Sequence, residues 1–232
     1  PCVYSAFSSA RVLATSYEQG EHVSSKRVAS LPQIRRNNLA KASLDLFLKE
    51  LYLWHEIQTD PNFGNYRIRL NEGGCGDQIV LLDFGAVQKY PASFIEPVCS
   101  MICAAFINDL DGVVEGGIAL KIMHTEWPAK VLTEFAQICI AVLEPLSISC
   151  SAEFPESFNA HGEYCWKQSD LPTRIAKRAA KSAINRYFKI PPKEFVFLNR
   201  KLVGVYTFIS VLGGQFNGRE LLIPFINEYK TA

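Results

Sequence analysis

Two short segments, Gln58–Asn65 (QTDPNFGN) and Leu81–Gly85 (LLDFG), constrain this chain more than any other part of it. The first holds Asp60 and Asn65 in a D-x-x-x-x-N spacing. The second is a D-F-G centred on Asp83. Between them lie two β-like runs, Asn65 to Leu70 and Ile79 to Leu82, joined by the glycine-rich stretch Asn71 to Asp77. A hairpin built this way returns the chain to where it began. Asp60, Asn65 and Asp83 are therefore expected at one end of it.

That trio suits one kind of chemistry. A phosphoryl group in transfer carries dense negative charge, which metal ions must bridge. Asp83 offers a carboxylate to Mg²⁺ and Asn65 a neutral amide oxygen, both hard donors of the type this ion takes. Asp60 would face an attacking hydroxyl and accept or orient its proton. Gly85 lets the backbone turn sharply behind Asp83. The plainer reading is that Asp60 caps a turn, Asn65 closes it and Asp83 caps the next element. D-F-G and D-x-x-x-x-N are each common by chance. Their order, with a hairpin between, favours the kinase-like reading.

The rest of the chain predicts a mostly helical single domain over residues 1–232. Leu44, Phe47, Leu48, Leu51 and His55 recur at helical steps, predicting an amphipathic helix from Leu39 to Ile57 that stops before Asp60-Pro61. Arg11 to Glu21 reads as a short strand with a turn at Gly20. After Tyr90 six helices are expected: 91–108, 110–123, 126–146, 171–188, 193–212 and 219–229. Residues 147–168 read as irregular. Hydrophobic residues make up 48% of the chain, enough for a sizeable core. With 24 Lys+Arg against 23 Asp+Glu, a surface built wholly for nucleic acid is excluded. No uncharged run reaches membrane-spanning length, and no signal peptide is visible at the start. The seven cysteines have no C-x-x-C pattern, which points to free thiols in a reducing compartment, with Cys99 and Cys103 buried.

On the residues just quoted, the chain resembles the UbiB-type atypical kinase-like family, in the branch linked to coenzyme Q (ubiquinone) biosynthesis. Gln58-Thr59-Asp60-Pro61-Asn62 and Leu81 to Ala86 carry the likeness. The segment Pro191 to Gly204 (PPKEFVFLNRKLVG) is similar to the family's closing helix, and Val12 to Gly20 to the connection between its two lobes. The resemblance implies an α+β, predominantly helical C-terminal lobe of a protein-kinase-like fold. Its interlobe segment would be residues 11–21, its catalytic core 39–90 and its helical remainder 91–229. It implies an atypical kinase or ATPase using ATP and Mg²⁺, with Thr15, Ser16, Tyr17 and Glu18 flanking the nucleotide. Only a few residues precede Val12, and no K-x-G-Q signature is present, so the N-terminal lobe is expected to lie outside this chain. The family's setting implies a bacterial cytoplasm at the inner membrane, or the matrix face of the inner mitochondrial membrane.

Other features have plainer readings. Arg174, Lys177, Arg178 and Lys181 share a helical face that would suit an anionic membrane or acidic partner, or simply solvent. His55 reads as a core histidine. Trp54, Trp127 and Trp166 read as packing residues, and Gly73 to Gly76 as a turn. Two further functions compete with the first. One is a small-molecule kinase of the aminoglycoside- or choline-kinase kind, which the D-F-G form and the closing segment disfavour. The other is a non-catalytic module that binds isoprenoid lipid or partner enzymes, which the joint presence of Asp60, Asn65 and Asp83 disfavours.

Overall fold

A computed structural model describes residues 1–147, 155–183, 187 and 190–231. Its helices are α1 (Lys26–Ala29), α2 (Gln33–Lys49), α3 (Ala92–Phe106), α4 (Leu110–Ala119), α5 (Ala129–Val142), α6 (Leu171–Ala183), α7 (Lys193–Leu212) and α8 (Arg219–Thr231). Its strands are β1 (Glu56–Gln58), β2 (Tyr66–Arg69), β3 (Gln78–Leu81) and β4 (Val87–Lys89). The α+β, mainly helical class is as expected.

The strands nest. β2 and β3 pair antiparallel with Tyr66 opposite Leu81 and Arg69 opposite Gln78. Outside them, β1 pairs antiparallel with β4, Glu56 opposite Lys89 and Gln58 opposite Val87. The loop after β1 and the loop after β3 therefore emerge side by side. Leu82 donates its amide to the Asn65 carbonyl at 2.9 Å, and Thr59 donates its own to the Ala86 carbonyl at 3.0 Å.

The outer pair corrects the expected helix over 39–57. α2 begins earlier, at Gln33, and passes into a π-helical turn, Glu50–Trp54. His55 then takes a left-handed backbone, φ 53°, and ends it. Ile57, where the expected helix ends, instead sits in β1, fully buried. His55 is a terminator and not a helical core residue. Trp54 is 53% exposed, so it is not a packing residue, whereas Trp127 and Trp166 are buried as expected. The strand expected in 11–21 is reduced to isolated bridges, Ser9–Val12, Val3–Thr15 and Glu21–Ile68. Gly20 serves close approach: a Cβ there would lie 2.8 Å from the Cβ of Arg67. The later helices fall where predicted: 193–212 matches to the residue, 219–229 runs on to Thr231, the three between 91 and 146 are shorter, and the end expected at 188 lies outside the described residues. α5 starts only after Pro128 and stops at Val142. Arg186, Phe188, Lys189 and Cys150 lie outside the described residues.

α2 and α7 form the spine behind the nested strands. The first turn of α2 caps the end of α7: Gln33 Nε2 donates to the Gly213 carbonyl at 2.8 Å and Arg36 to the Leu212 carbonyl at 3.0 Å. Gly213 holds φ 63°, the left-handed C-cap that glycine adopts without a steric penalty. Asn37 exchanges two hydrogen bonds with the Gln215 backbone, at 2.7 and 2.9 Å. Leu39, Leu44, Leu48 and Leu51 of α2 and its π turn pack into the same core as Val205, Ile209 and Leu212 of α7. The capping fixes the register of α7, and through it the side chains that α7 sends toward the strand loops.

α7 is long and apolar enough to cross a membrane by length and composition alone. In this fold it carries two ion-paired cations at its middle, Arg200 and Lys201. Cys99 and Cys103 are buried free thiols in α3. The glycine-rich stretch is a turn, with Gly74 and Gly76 at φ 79° and 78°. Arg35 of α2 anchors it, donating to both oxygens of Asp77 at 2.7 and 2.5 Å and to the Asn71 carbonyl at 3.0 Å.

Candidate active site

The loop after β1 is built around Gln58 and Thr59, both buried. Thr59 ties it to the loop after β3, its hydroxyl donating to the Ala86 carbonyl at 2.8 Å. Gln58 bridges the two acidic motifs. Its Oε1 accepts the Asp60 amide at 2.8 Å, and its Nε2 donates to the Asp83 carbonyl at 3.3 Å. Sequence reasoning treated Gln58 only as part of a motif. Its hub role needs a partner 25 residues away, Asp83, as well as its near neighbour Asp60, which no local pattern reveals.

Asp60 is half-buried, and its carboxylate is held from two sides. Asn65 Nδ2 donates to Oδ2 at 3.0 Å, and Arg200 of α7 donates to Oδ1 at 2.8 Å. Asn65 Nδ2 also lies 3.2 Å from the Asp60 carbonyl. With the NH₂ of Asn65 committed to Asp60, its amide oxygen is the group left for a cation. Asp83 is exposed, and its Oδ1 accepts the Gly85 amide at 2.7 Å, leaving Oδ2 as a donor atom. Asn65 and Asp83 share the wall of one cavity of about 210 Å³, together with Glu50, Gln58, Tyr66 and Lys201. Burial, followed by the charges of Glu50 and Asp60, pushes the Tyr66 phenol up to about 12, so it stays neutral. The three expected residues do converge, with Asp60 joined to the cavity through Asn65.

These donors fit Mg²⁺. Among the described residues no cluster of three or more His, Cys, Asp or Glu side chains stands ready to hold a metal. One carboxylate and one amide oxygen match an ion that keeps water and phosphate oxygens in its remaining positions.

One stripe of α7 runs along the loop from Asp60 to Tyr66. Arg200 meets Asp60, and Gly204 one turn later meets Pro61, where a Cβ would lie 2.1 Å from the Pro61 Cβ. Phe208 meets Phe63 and Tyr66, each with ring centroids 5.6 Å apart. The closing segment recognised in the sequence is therefore the backrest of this loop. The spacing 200, 204, 208 is a helical signal that could have suggested it.

Thr15 to Glu18 do not line the cavity. Tyr17 is 88% exposed. Glu18 is held by the Ser16 hydroxyl at 2.7 Å and pairs with Arg69 of β2. The hydrogen bond from Ser16, with Arg69 and the N-terminal amine nearby, holds the Glu18 carboxyl below its ordinary value. The basic face of α6 is also revised. Arg174 turns inward, pairing with buried Glu144 at 2.6 and 2.9 Å and with Asp170 at 2.5 Å, so it is unavailable to a membrane. Lys177 and Arg178 are exposed, and the Lys181 side chain lies outside the described residues.

Comparison with known proteins bears on the family of the chain. Residues 1–116 match the model of the ABC1 atypical kinase-like domain. The chain is 28% identical over 223 residues to the atypical kinase coq-8, mitochondrial, of Caenorhabditis elegans, covering 94% of this chain and 28% of that protein. It is 28% identical over 230 residues to the atypical kinase COQ8B, mitochondrial, of Danio rerio, covering 99% and 34%. With the atypical kinase COQ8, mitochondrial, of Schizosaccharomyces pombe it shares 23% over 229 residues, 99% and 35%. The chain thus spans about a third of the length of these curated relatives. With its match over residues 1–116, half of its length, the chain belongs to the ABC1 atypical kinase-like family.

Proposed function

We propose that this chain carries the catalytic-loop and metal-binding part of a UbiB-type atypical kinase or ATPase that binds MgATP and supports ubiquinone biosynthesis. Asp60 orients the acceptor hydroxyl and takes its proton as the γ-phosphoryl group passes to that oxygen and ADP leaves. With water as acceptor the products are ADP and phosphate. Asn65 and Asp83 hold Mg²⁺, which when bound neutralises charge on the phosphate oxygens. Thr15, Ser16, Tyr17 and Glu18 flank the adenine. Among the described side chains of α6, exposed Lys177 and Arg178 are the cations left to meet an anionic surface. The relatives' mitochondrial names support a mitochondrial setting.

The observation that carries the reading is the division of labour in Asn65. Its NH₂ fixes the Asp60 carboxylate, and Asn65 lines the same cavity as Asp83. A merely structural cap would have no use for a second carboxylate on the same wall. The test is calorimetric titration of ATP into the chain, with and without Mg²⁺, beside Asp83→Ala. Binding that needs both Mg²⁺ and Asp83 is the expected result. Binding that survives the loss of either would overturn the metal assignment, and no binding to the unaltered chain would overturn nucleotide binding by this part of the protein.

A further inference from the structure

The π-helical turn Glu50–Trp54 borders two cavities. Glu50 and Trp54 line the one that holds Asn65 and Asp83, whereas Tyr52 and Leu53 line a second, of about 300 Å³. Asp60, Asn65 and Asp83 are not part of the second cavity, which lies between this turn and the helices α3 and α8. Three aromatic rings line it, Tyr52 from the turn and Phe225 and Tyr229 from α8. Phe225 is tilted 39° to Tyr52 with centroids 5.6 Å apart, and Tyr229 stands at 78° to Tyr52 at 6.4 Å. The rings therefore form a corner and not a flat wall. Tyr229 is pinned in it, because its hydroxyl donates to the Glu96 carbonyl of α3 at 3.0 Å. The carboxylates of the lining are Glu96 and Glu228, both exposed; its other ionisable groups are His55, the buried Cys99 thiol and the two phenols. No Lys or Arg lines it.

We propose that this second cavity binds an organic cation of the trimethylammonium type. An aromatic face carries negative charge density and attracts a cation within about 6 Å of its centroid, more strongly where water is excluded. Two carboxylates with no Lys or Arg beside them give the cavity a negative field, which turns away an anion and draws a cation. Glu96 forms no ion pair among the described residues, so no side chain already neutralises its charge. The walls also choose among cations. A primary ammonium brings three N–H donors that need acceptors. Here the walls are largely ring and aliphatic carbon, from Tyr52, Leu53, Ile95 and Phe225, and offer few. A quaternary ammonium has no N–H and presents methyl groups, so it can pack on the rings while the carboxylates stay hydrated. The volume lies at the lower end of the range for small-molecule sites, enough for a head group of this size. The proposal stands apart from the phosphoryl-transfer reading, since the two cavities share no lining residue.

The test compares choline with its neutral carbon isostere, in which a tert-butyl group replaces trimethylammonium. Each is titrated into the isotope-labelled chain and followed by amide resonances, against a sodium chloride series of matched ionic strength. Choline should shift the amides of Leu53, Glu96 and Tyr229 with a dissociation constant on the order of 1–10 mM, and leave those of Asn65 and Asp83 to Gly85 unmoved. The isostere has nearly the same shape and no charge, so it should bind about tenfold or more weakly. Glu96→Gln, a change at an exposed side chain, should weaken choline about two- to fivefold and leave the isostere unaffected. Phe225→Leu should weaken choline by about the same factor. Trimethyllysine amide, titrated alongside, separates a modified side chain from a free head group as the natural source, and tighter binding of either supports the site. Equal affinity for choline and the isostere, shifts centred on Asn65 and Asp83, or no shift beyond the salt series would each overturn the proposal. Those three outcomes are read on the unaltered chain, so a variant that fails to fold does not weaken the test.

Discussion

Gly204→Ala should injure the site more than the fold. The added Cβ would lie 2.1 Å from Pro61 Cβ and 2.5 Å from Pro61 Cγ. Pro61 is a rigid ring joined directly to Asp60, so it must retreat by more than about 1 Å to reach ordinary contact. Overpacking of this kind costs about 1–3 kcal/mol. Replacing glycine by alanine inside a helix returns roughly 0.5–1 kcal/mol. The net loss is then at most about 2.5 kcal/mol, a fall of several degrees in melting temperature. The Asp60 carboxylate would be displaced from Arg200 and Asn65, and a shift of about 1 Å in a catalytic group can cost on the order of a hundredfold in rate. The assay pairs a thermal melt with ATP turnover. A melt lowered by a few degrees with turnover down at least tenfold is expected. Turnover within twofold of the unaltered protein would refute the idea that α7 is the backrest of the loop.

Three further outcomes follow from the packing and charge. Leu51→Ala, at a fully buried position below the site, should lose about 2–5 kcal/mol in denaturant unfolding. Arg174→Ala leaves Glu144 buried without its main cation and should cost about 3 kcal/mol, whereas Lys177→Ala on the same helix should cost almost nothing by the same measurement. The hydrogen bonds from Arg35 hold the Asp77 carboxyl below its ordinary value. Its contribution is therefore complete above about pH 4 and is lost as pH falls through the lowered value. Asp77→Asn should remove that part of the acid sensitivity, seen as a flatter stability curve below pH 4, and a curve unchanged in slope would speak against the anchor.

The inner hairpin and the convergence of Asp60, Asn65 and Asp83 were legible because they follow from short-range signals. Two β-like runs, a glycine-rich turn and two polar loops fall within thirty residues. α7 was legible for a similar reason, with Pro191-Pro192 before it and Gly213 after it. β1 and β4 were not. Each is three residues long, too short for an alternating pattern to show, and the left-handed turn at His55 that separates β1 from the helix before it leaves no mark in the pattern. The inward turn of Arg174 was hidden because its partner Glu144 lies 30 residues away at the end of another expected helix. The Gln58 hub and the Glu50–Lys201 pair were hidden for the same reason: buried polar partners are chosen by tertiary packing, and a helical wheel shows only which face each residue occupies.

The central claim is that Asn65 and Asp83 hold a divalent cation with its nucleotide beside Asp60. Mn²⁺ tests it directly, because it takes the same oxygen donors and broadens nearby nuclear resonances. With Mn²⁺ and ATP added to isotope-labelled chain, the side-chain amide of Asn65 and the backbone amides of Asp83 to Gly85 should broaden first. Those of Gly74 and Gly76 at the far end of the hairpin should stay sharp, and Asp83→Ala should abolish the effect. Broadening centred elsewhere, or undiminished in Asp83→Ala, would contradict the account.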